Sequence, residues 1–415
     1  MRAMKRWCGP LRAAAGGLLL SAGPAAAQDA SPPVFSFSGF GTLGVVHSSE
    51  RHADFTASPS KPYGAGYTRA WSAEPDSLIA AQVSAQLTQR VSAVVQLVSE
   101  QGFDHSYRPH VEWANLKFQV TPDFSIRAGR TVLPLRMLAE VRKVGYAHPW
   151  VRAPVEVYGL VPVTSNDGVD ASYRMRVGAA TNTFQLTAGR TDLRFPGATV
   201  QARDLVVLVN TLEFGHATVR ANLGRARITL PALDPLLDGF RAFGPEGAAI
   251  ADRYEMKGRP VSFAALGASY EPQSWFAIGE WCRVSSGGIL GTKSAWYVSG
   301  GYRIGKFTPY STYGRARADN LFDPGLAVAA LPPHLAEPAR ALNFGLNTTL
   351  GAKVVQRTIS VGMRWDAAKR TAVKLQFDRT RMASGSNGAL GNIQPGFQPG
   401  GKVNLFSASV DFIFR

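Results

Sequence analysis

Lys402-Val403-Asn404-Leu405-Phe406-Ser407-Ala408-Ser409-Val410-Asp411-Phe412-Ile413-Phe414-Arg415 is the stretch on which the fold turns. Counted back from Phe414, every second residue is Phe412, Val410, Ala408 and Phe406, an apolar row that includes aromatics, while Asp411, Ser409 and Ser407 fall between them. A period of two is that of a β-strand, whose successive side chains point to opposite faces. The pattern recurs upstream. Over 370–382, Thr371, Val373, Leu375 and Phe377 oppose Ala372, Lys374, Gln376 and Asp378; over 168–177, Val169, Ala171, Tyr173, Met175 and Val177 oppose Asp170, Ser172, Arg174 and Arg176. In 77–88 the apolar set is Ile79, Ala81, Val83, Ala85 and Leu87. One face is apolar and the other carries full charges.

Sixteen such segments follow Phe35, near 35–48, 77–88, 91–101, 110–120, 124–131, 168–177, 182–192, 201–212, 216–227, 261–271, 274–285, 293–304, 306–317, 354–365, 370–382 and 402–414. A soluble sandwich would also alternate, with its apolar faces turned inward. Three features favour the inverted arrangement in lipid. The segments are longer than the usual soluble strand and match the roughly nine to eleven residues of a tilted transmembrane strand. Aromatics such as Trp113, Trp275, Trp281, Trp296, Tyr302, Tyr310, Tyr313 and Trp365 sit near segment ends, as in interfacial girdles. Connections after even-numbered segments are short, whereas those after odd-numbered ones are mostly long, notably 49–76, 132–167, 228–260, 318–353 and 383–401. The sequence therefore predicts an all-β chain, a sixteen-stranded antiparallel transmembrane β-barrel with short periplasmic turns and long external loops.

The first residues read differently. Arg2, Lys5, Arg6 and Arg12 precede a short apolar and small-residue run from Ala13 to Ala22, then Ala25-Ala26-Ala27, the pattern of a secretory signal peptide over 1–27 with one barrel domain over 28–415. Removing those four cations leaves 41 basic against 29 acidic residues, a formal +12, and leaves Cys282 without a disulfide partner. In an exported chain that charge favours anionic partners such as lipopolysaccharide or anionic solutes. The basic residues are dispersed through strand-like segments and not gathered in one patch, which argues against nucleic acid.

The longest interior stretch without alternation runs from Thr131 to Asp167, mixing charges, aromatics and Pro134, Pro149, Pro154 and Pro162. A loop of that length inside a compact domain is uncommon and usually functional. With the sixteen alternating segments and the terminal row ending in Phe414, the layout resembles that of Gram-negative outer-membrane porins of the sixteen-stranded kind. The resemblance implies an outer-membrane location, a homotrimer, recognition of the last strand by the barrel assembly machinery, and a third external loop, here 132–167, folded inward as a constriction. The family's acidic-aromatic-diglycine signature is absent from it; only Pro154-Val155-Glu156-Val157-Tyr158-Gly159 stands in that place.

A sixteen-stranded barrel is too wide for wall side chains to fill, so selectivity needs a projection into it. Arg136, Glu140, Arg142, Lys143, Arg152 and Glu156 are the expected constriction residues, and Lys117, Arg127, Arg174, Arg176, Arg220, Arg364 and Lys374 the expected wall cations. The wall set follows from phase, since Arg or Lys on the lipid face near the midplane costs roughly 2–4 kcal/mol. Glu140 and Glu156 facing that wall would set a transverse field. The expected function is passive diffusion of small hydrophilic solutes with an anion bias; the alternatives are a substrate-specific channel, a non-conducting adhesin or structural barrel, and a barrel hydrolase. No catalytic residues, metal or cofactor are expected. His47-Ser48-Ser49-Glu50 has hydrolase residue types, but strand neighbours point to opposite faces. Asn166-Asp167-Gly168 with Asp170 reads as the turn that starts segment 168–177, without the distal Glu of a calcium loop.

Overall fold

The computed structural model describes residues 34–415; the signal peptide expected over 1–27 lies outside the described residues. Sixteen long strands form the barrel: β1 (Val34–Ser48), β2 (Leu78–Gln86), β3 (Val91–Glu100), β4 (His110–Gln119), β5 (Phe124–Val132), β6 (Ser165–Val177), β7 (Ala180–Phe195), β8 (Ala198–Phe214), β9 (Ala217–Thr229), β10 (Arg259–Tyr270), β11 (Trp275–Ser286), β12 (Lys293–Tyr302), β13 (Phe307–Ala318), β14 (Gln356–Ala368), β15 (Thr371–Met382) and β16 (Lys402–Phe414). Each pairs antiparallel with its sequence neighbours. β1 pairs with both β2 and β16, Gly39 opposite Phe414, which closes the sheet. Closure satisfies every strand edge, the condition for crossing a bilayer with sheet.

The faces fall as the alternation predicts. Ile79, Val169, Leu375 and Phe377 stand exposed on the outside, whereas Asp170, Lys374, Gln376, Asp378, Ser407, Ser409 and Asp411 are buried on the inside. An exposed band of Val, Leu, Ile and aromatic side chains wrapped around charged inner positions is a lipid-facing exterior. Among the described residues no helix is long and apolar enough to cross a membrane, which says nothing against crossing with strands. Short turns close one end. Gly178 and Gly215 take φ of 58° and 57° there, the left-handed conformation that glycine adopts without strain.

Three features depart from the sequence reading. β7 and β8 are 16 and 17 residues long and meet at Pro196-Gly197, so the connection after the seventh strand is tight. β6 starts at Ser165, so Asn166, Asp167 and Gly168 lie in a strand and form no turn. The carboxylates of Asp167 and Asp170 on that strand are held by neighbouring arginines: Arg130 Nε and Nη2 each donate to Asp167 at 2.7 Å, and Arg127 Nε donates to Asp170 at 2.8 Å. The long connections also hold helices. α1 (Val155–Tyr158) is a single turn; α2 (Asp234–Arg241), α3 (Gly244–Tyr254) and α4 (Pro333–Gly351) are external and share a core of Leu237, Phe240, Ile250, Tyr254, Leu346 and Leu350. Pro235, Pro245 and Pro333 stand at their first turns, where a missing N–H costs nothing.

The inner wall is not polar throughout. Val207 and Val209 on β8, Phe263 and Ala265 on β10, Ile278 on β11 and Tyr297 on β12 are buried with Leu133, Leu135, Leu138, Trp150, Val157 and Tyr158 in one apolar cluster. The wall of that sector is therefore covered by the segment joining β5 to β6.

Candidate functional site

The segment 133–164 begins and ends at the external rim and contains no regular element longer than α1. Its prolines interrupt helix and strand alike, so its backbone carbonyls are left for partners outside the segment. The barrel wall supplies them. Lys374 Nζ on β15 donates to the carbonyls of Gly145 (2.7 Å) and Trp150 (2.8 Å) and lies 2.9 Å from Asp411 Oδ2 on β16. Arg364 Nη1 on β14 donates to the carbonyls of Tyr146 (2.7 Å) and His148 (2.8 Å), while its Nε reaches Asp366 at 2.8 Å. Between these anchors the chain runs so close to the wall that a Cβ on Gly145 would lie 2.1 Å from Asp411 Oδ1 and 2.5 Å from Thr42 Oγ1. Glycine is required there.

Side chains of the segment continue the attachment. Trp150 Nε1 donates to Ser299 Oγ (2.9 Å) and Thr312 Oγ1 (3.0 Å), with its ring edge-on to Tyr297 at 6.0 Å. Arg152 forks onto Asp76 at 2.8 and 2.6 Å, reaches Asp378 Oδ2 at 3.0 Å and Ser407 Oγ at 2.7 Å, and covers the Phe55 ring. Tyr158 Oη donates to Glu280 Oε2 at 2.8 Å. On the far side, Lys143 bridges Glu100 on β3 and Glu112 on β4, and Arg220 on β9 forks onto Glu140 at 3.0 and 3.1 Å. Against the opposing effect of burial, these partners hold the Lys143 ammonium above its usual range and the Glu140 carboxyl below its own.

The expected site residues separate into three groups. Arg136 and Arg142 brace the segment itself: both donate to the Tyr158 carbonyl and sit over the Tyr158 ring at 5.3 and 5.5 Å. Arg364 and Lys374 lie on the inner wall but beneath the segment, 7% and 0% exposed, where they bind it down. Lys117, Arg127, Arg174 and Arg176 lie on the inner face of β4 to β6. Lys117 stands opposite Arg127, which stands opposite Asp170. Arg127 is paired with Asp170 at 2.7 Å and Arg176 with Asp123 at 3.2 Å. Lys117 and Arg174 form no side-chain hydrogen bond or ion pair among the described residues.

The transverse field expected between Glu140, Glu156 and the wall is not present in that form. Glu140 meets Arg220 in a two-point ion pair, which cancels both charges at short range. Glu156 faces no cation; it is 2% exposed and accepts from Gln356 Nε2 at 2.7 Å and from Thr358 Oγ1. Burial pushes its carboxyl above the usual range. Asp76, Asp378, Asp411 and Glu280 carry the ties that a search for wall cations alone passes over. Asp378 and Asp411 stand on the polar inner faces of β15 and β16, a signal available in the alternation, whereas Asp76 lies in a connection and Glu280 shares the largely apolar inner face of β11 with Phe276, Ile278 and Val284.

His148 makes this arrangement sensitive to acid. It is 3% exposed, its Nε2 is 2.8 Å from the Val141 carbonyl, and burial together with the Lys374 charge pushes its imidazole down to about 4. A base whose folded pKa is depressed binds fewer protons folded than unfolded. The stability it contributes is complete above about 6.5, the ordinary imidazole value, and is lost as the pH falls toward about 4. Glu156 has the opposite sign, so the His148 contribution is read as a difference between variants. Relative to His148→Gln, the heat-modifiability midpoint of the wild type is expected to fall between pH 8 and pH 5 by an amount equivalent to about 2 kcal/mol. Parallel midpoints for the two proteins across that range would show that His148 takes up its proton equally in the folded and unfolded chain and is not held neutral by the fold.

The same architecture occurs in solved outer-membrane channels. The outer membrane channel DcaP of Acinetobacter baumannii matches with a TM-score of 0.54 and 10% identity, over 94% of this chain and 100% of the other. An anion-selective porin from Comamonas acidovorans matches with a TM-score of 0.54 and 11% identity, over 92% and 100%. Salmonella typhi OmpF, solved with daunomycin, matches with a TM-score of 0.53 and 12% identity, over 92% and 97%. No protein-family model and no curated protein matches the sequence. At these identities the likeness establishes a shared fold.

Proposed function

On a porin fold, we propose that this chain is an outer-membrane channel for small hydrophilic solutes, with passage along the inner faces of β4 to β7 and a preference for anions. The attachment of segment 133–164 to β1, β3, β4, β9 and β11 to β16 supports this placement, because the inner faces between β4 and β9 carry the fewest of its ties. The observation that carries the sign is the pair of unpartnered cations, Lys117 and Arg174, beside the Arg127–Asp170 pair. Low-dielectric walls focus such charges along a narrow path. Segment 133–164 acts as the constriction, with Glu140, Lys143 and Arg220 at its free edge. The extent of wall that it seals also favours the reading of a channel selective for one solute class over a wide general pore.

Reversal potential in a salt gradient tests the sign. At about 0.1 M salt the screening length is roughly 10 Å, comparable with a pore radius, and near 1 M it is roughly 3 Å. Replacing Lys117 and Arg174 by Gln is expected to lower the chloride-to-potassium permeability ratio at low salt and leave it nearly unchanged at high salt. If that ratio is indifferent to the double change while Glu213→Gln on β8 shifts it, the acid controls the path and the anion reading fails.

A further inference from the structure

The outer face carries a row of cations with no counter-charge. Arg315 on β13 stands directly opposite Arg357 on β14, Arg357 opposite Arg381 on β15, and Arg381 opposite Lys402 on β16. Arg379, two residues below Arg381, has the same outward phase. All five side chains point outward, and none makes an ion pair or side-chain hydrogen bond among the described residues. Like charges directly opposite on neighbouring strands destabilise a sheet. Four in succession, spanning about 14 Å at roughly 4.8 Å per strand, describe a surface that is completed by an anion.

The position identifies what kind. Below the row on the same strands lie Ile359, Val361, Phe377 and Phe406, all exposed in the lipid-facing band. A ligand that covers both levels has anionic groups at the top and hydrocarbon beneath. The row ends at the seam: the adjoining strands β1 to β3, with Val45, Ile79 and Leu97 outward, carry no Lys or Arg on their outer faces, and outward cations such as Arg225 on β9 and Arg283 on β11 do not stand opposite another cation. A second copy of the chain offers its strand faces little with which to complement it. The outward acids Asp167, Asp192 and Asp204 are already paired with Arg130, Arg203 and Arg227.

We propose that the Arg315, Arg357, Arg381 and Lys402 row binds the phosphates of a lipopolysaccharide headgroup whose acyl chains lie on the Ile359 and Phe377 surface. This rests on the outer-membrane location read above. The guanidinium fork matches phosphate oxygens two at a time, and bound phosphate removes the cross-strand repulsion.

The test uses the full-length mature protein in zwitterionic detergent, titrated with bis-phosphorylated lipid A, dephosphorylated lipid A and inorganic phosphate, with binding read by native mass spectrometry and by the heat-modifiability midpoint. Bis-phosphorylated lipid A is expected to bind and raise the midpoint; the other two are not. Arg315→Gln, Arg357→Gln and Arg381→Gln together are expected to weaken that binding about a hundredfold, at roughly fivefold for each charge near an anionic surface. Arg357→Gln alone, the less disruptive change, is expected to weaken it about fivefold. Equal binding by wild type and triple variant, or equal stabilisation by inorganic phosphate, would overturn the proposal, as would a change of oligomeric state in the variant without a change in lipid binding. Single-channel conductance of the same variants is expected to match the wild type. An absence of conductance in both would remove the channel reading and leave the lipid result standing.

Discussion

Excising residues 138–156 and bridging the ends with a short Gly/Ser linker is expected to raise single-channel conductance severalfold. The excised residues include Glu140, Lys143, Gly145, Trp150, Arg152 and Glu156, that is, nearly every tie between the segment and the wall. Their removal returns the inner faces of β11 to β16 to water and leaves Lys374, Asp378 and Asp411 free to hydrate. It also uncovers Val207, Val209, Phe263 and Tyr297, which the segment now shields. The heat-modifiability midpoint should therefore fall as conductance rises. Gly145→Val is the milder form of the experiment, because its new methyls cannot be placed beside Asp411 and Thr42 without lifting the segment. Conductance unchanged in both variants, with the barrel intact, would show that the segment does not narrow the conducting path.

The largest effect of a single side-chain truncation is expected at Arg152. Its side chain is 9% exposed, and it joins Asp76, before β2, to Asp378 on β15, both of which are still more buried. Arg152→Met removes one cation and strands two carboxylates. Breaking a buried pair from one side typically costs about 3–5 kcal/mol, most of it the penalty of the uncompensated charge that remains. The cost should shrink when Asp76→Asn and Asp378→Asn are introduced with it, because no bare carboxylate is then left. A midpoint that falls equally in the single and triple variants would assign the effect to lost packing over Phe55 and not to charge.

The barrel was legible in the chain because lipid outside and water inside impose alternation on each strand, and the phase of Asp170, Lys374 and Asp378 against Val169, Leu375 and Phe377 could be read directly. Strand ends were less legible where β6, β7 and β8 continue beyond the apolar band, since above it neither face has to be apolar. The covered inner wall was missed for a related reason. Leu205-Val206-Val207-Leu208-Val209 is apolar on both faces, the mark of a strand buried on both sides, and lies within a segment read as half-wet. Lys374 and Arg364 lie on the inner face that their phase implies, and there they hold backbone carbonyls of segment 133–164. Sequence shows that Lys374 and Arg364 point inward; it does not show that carbonyls of Gly145 and His148 await them, because the segment's path depends on distant partners. The helices α2 to α4 were overlooked among long connections, although a proline stands at the first turn of each.

The seam between β1 and β16 joins the two ends of the described chain, whereas every other strand meets its neighbour through a local connection. In kinetic terms the fifteen sequential pairings can zip in order, and the seam alone must close a loop of nearly the whole chain. Segment 133–164 emerges early, after the fifth strand, yet its ties to Arg364, Lys374, Gln376 and Ser407 are to the last three. Until those strands arrive, Gly145 and Trp150 have no donor for their carbonyls and the inner apolar wall has no complete cover. Seating of the segment is thus a late event coupled to seam closure, so an incompletely closed barrel is also an unlatched one.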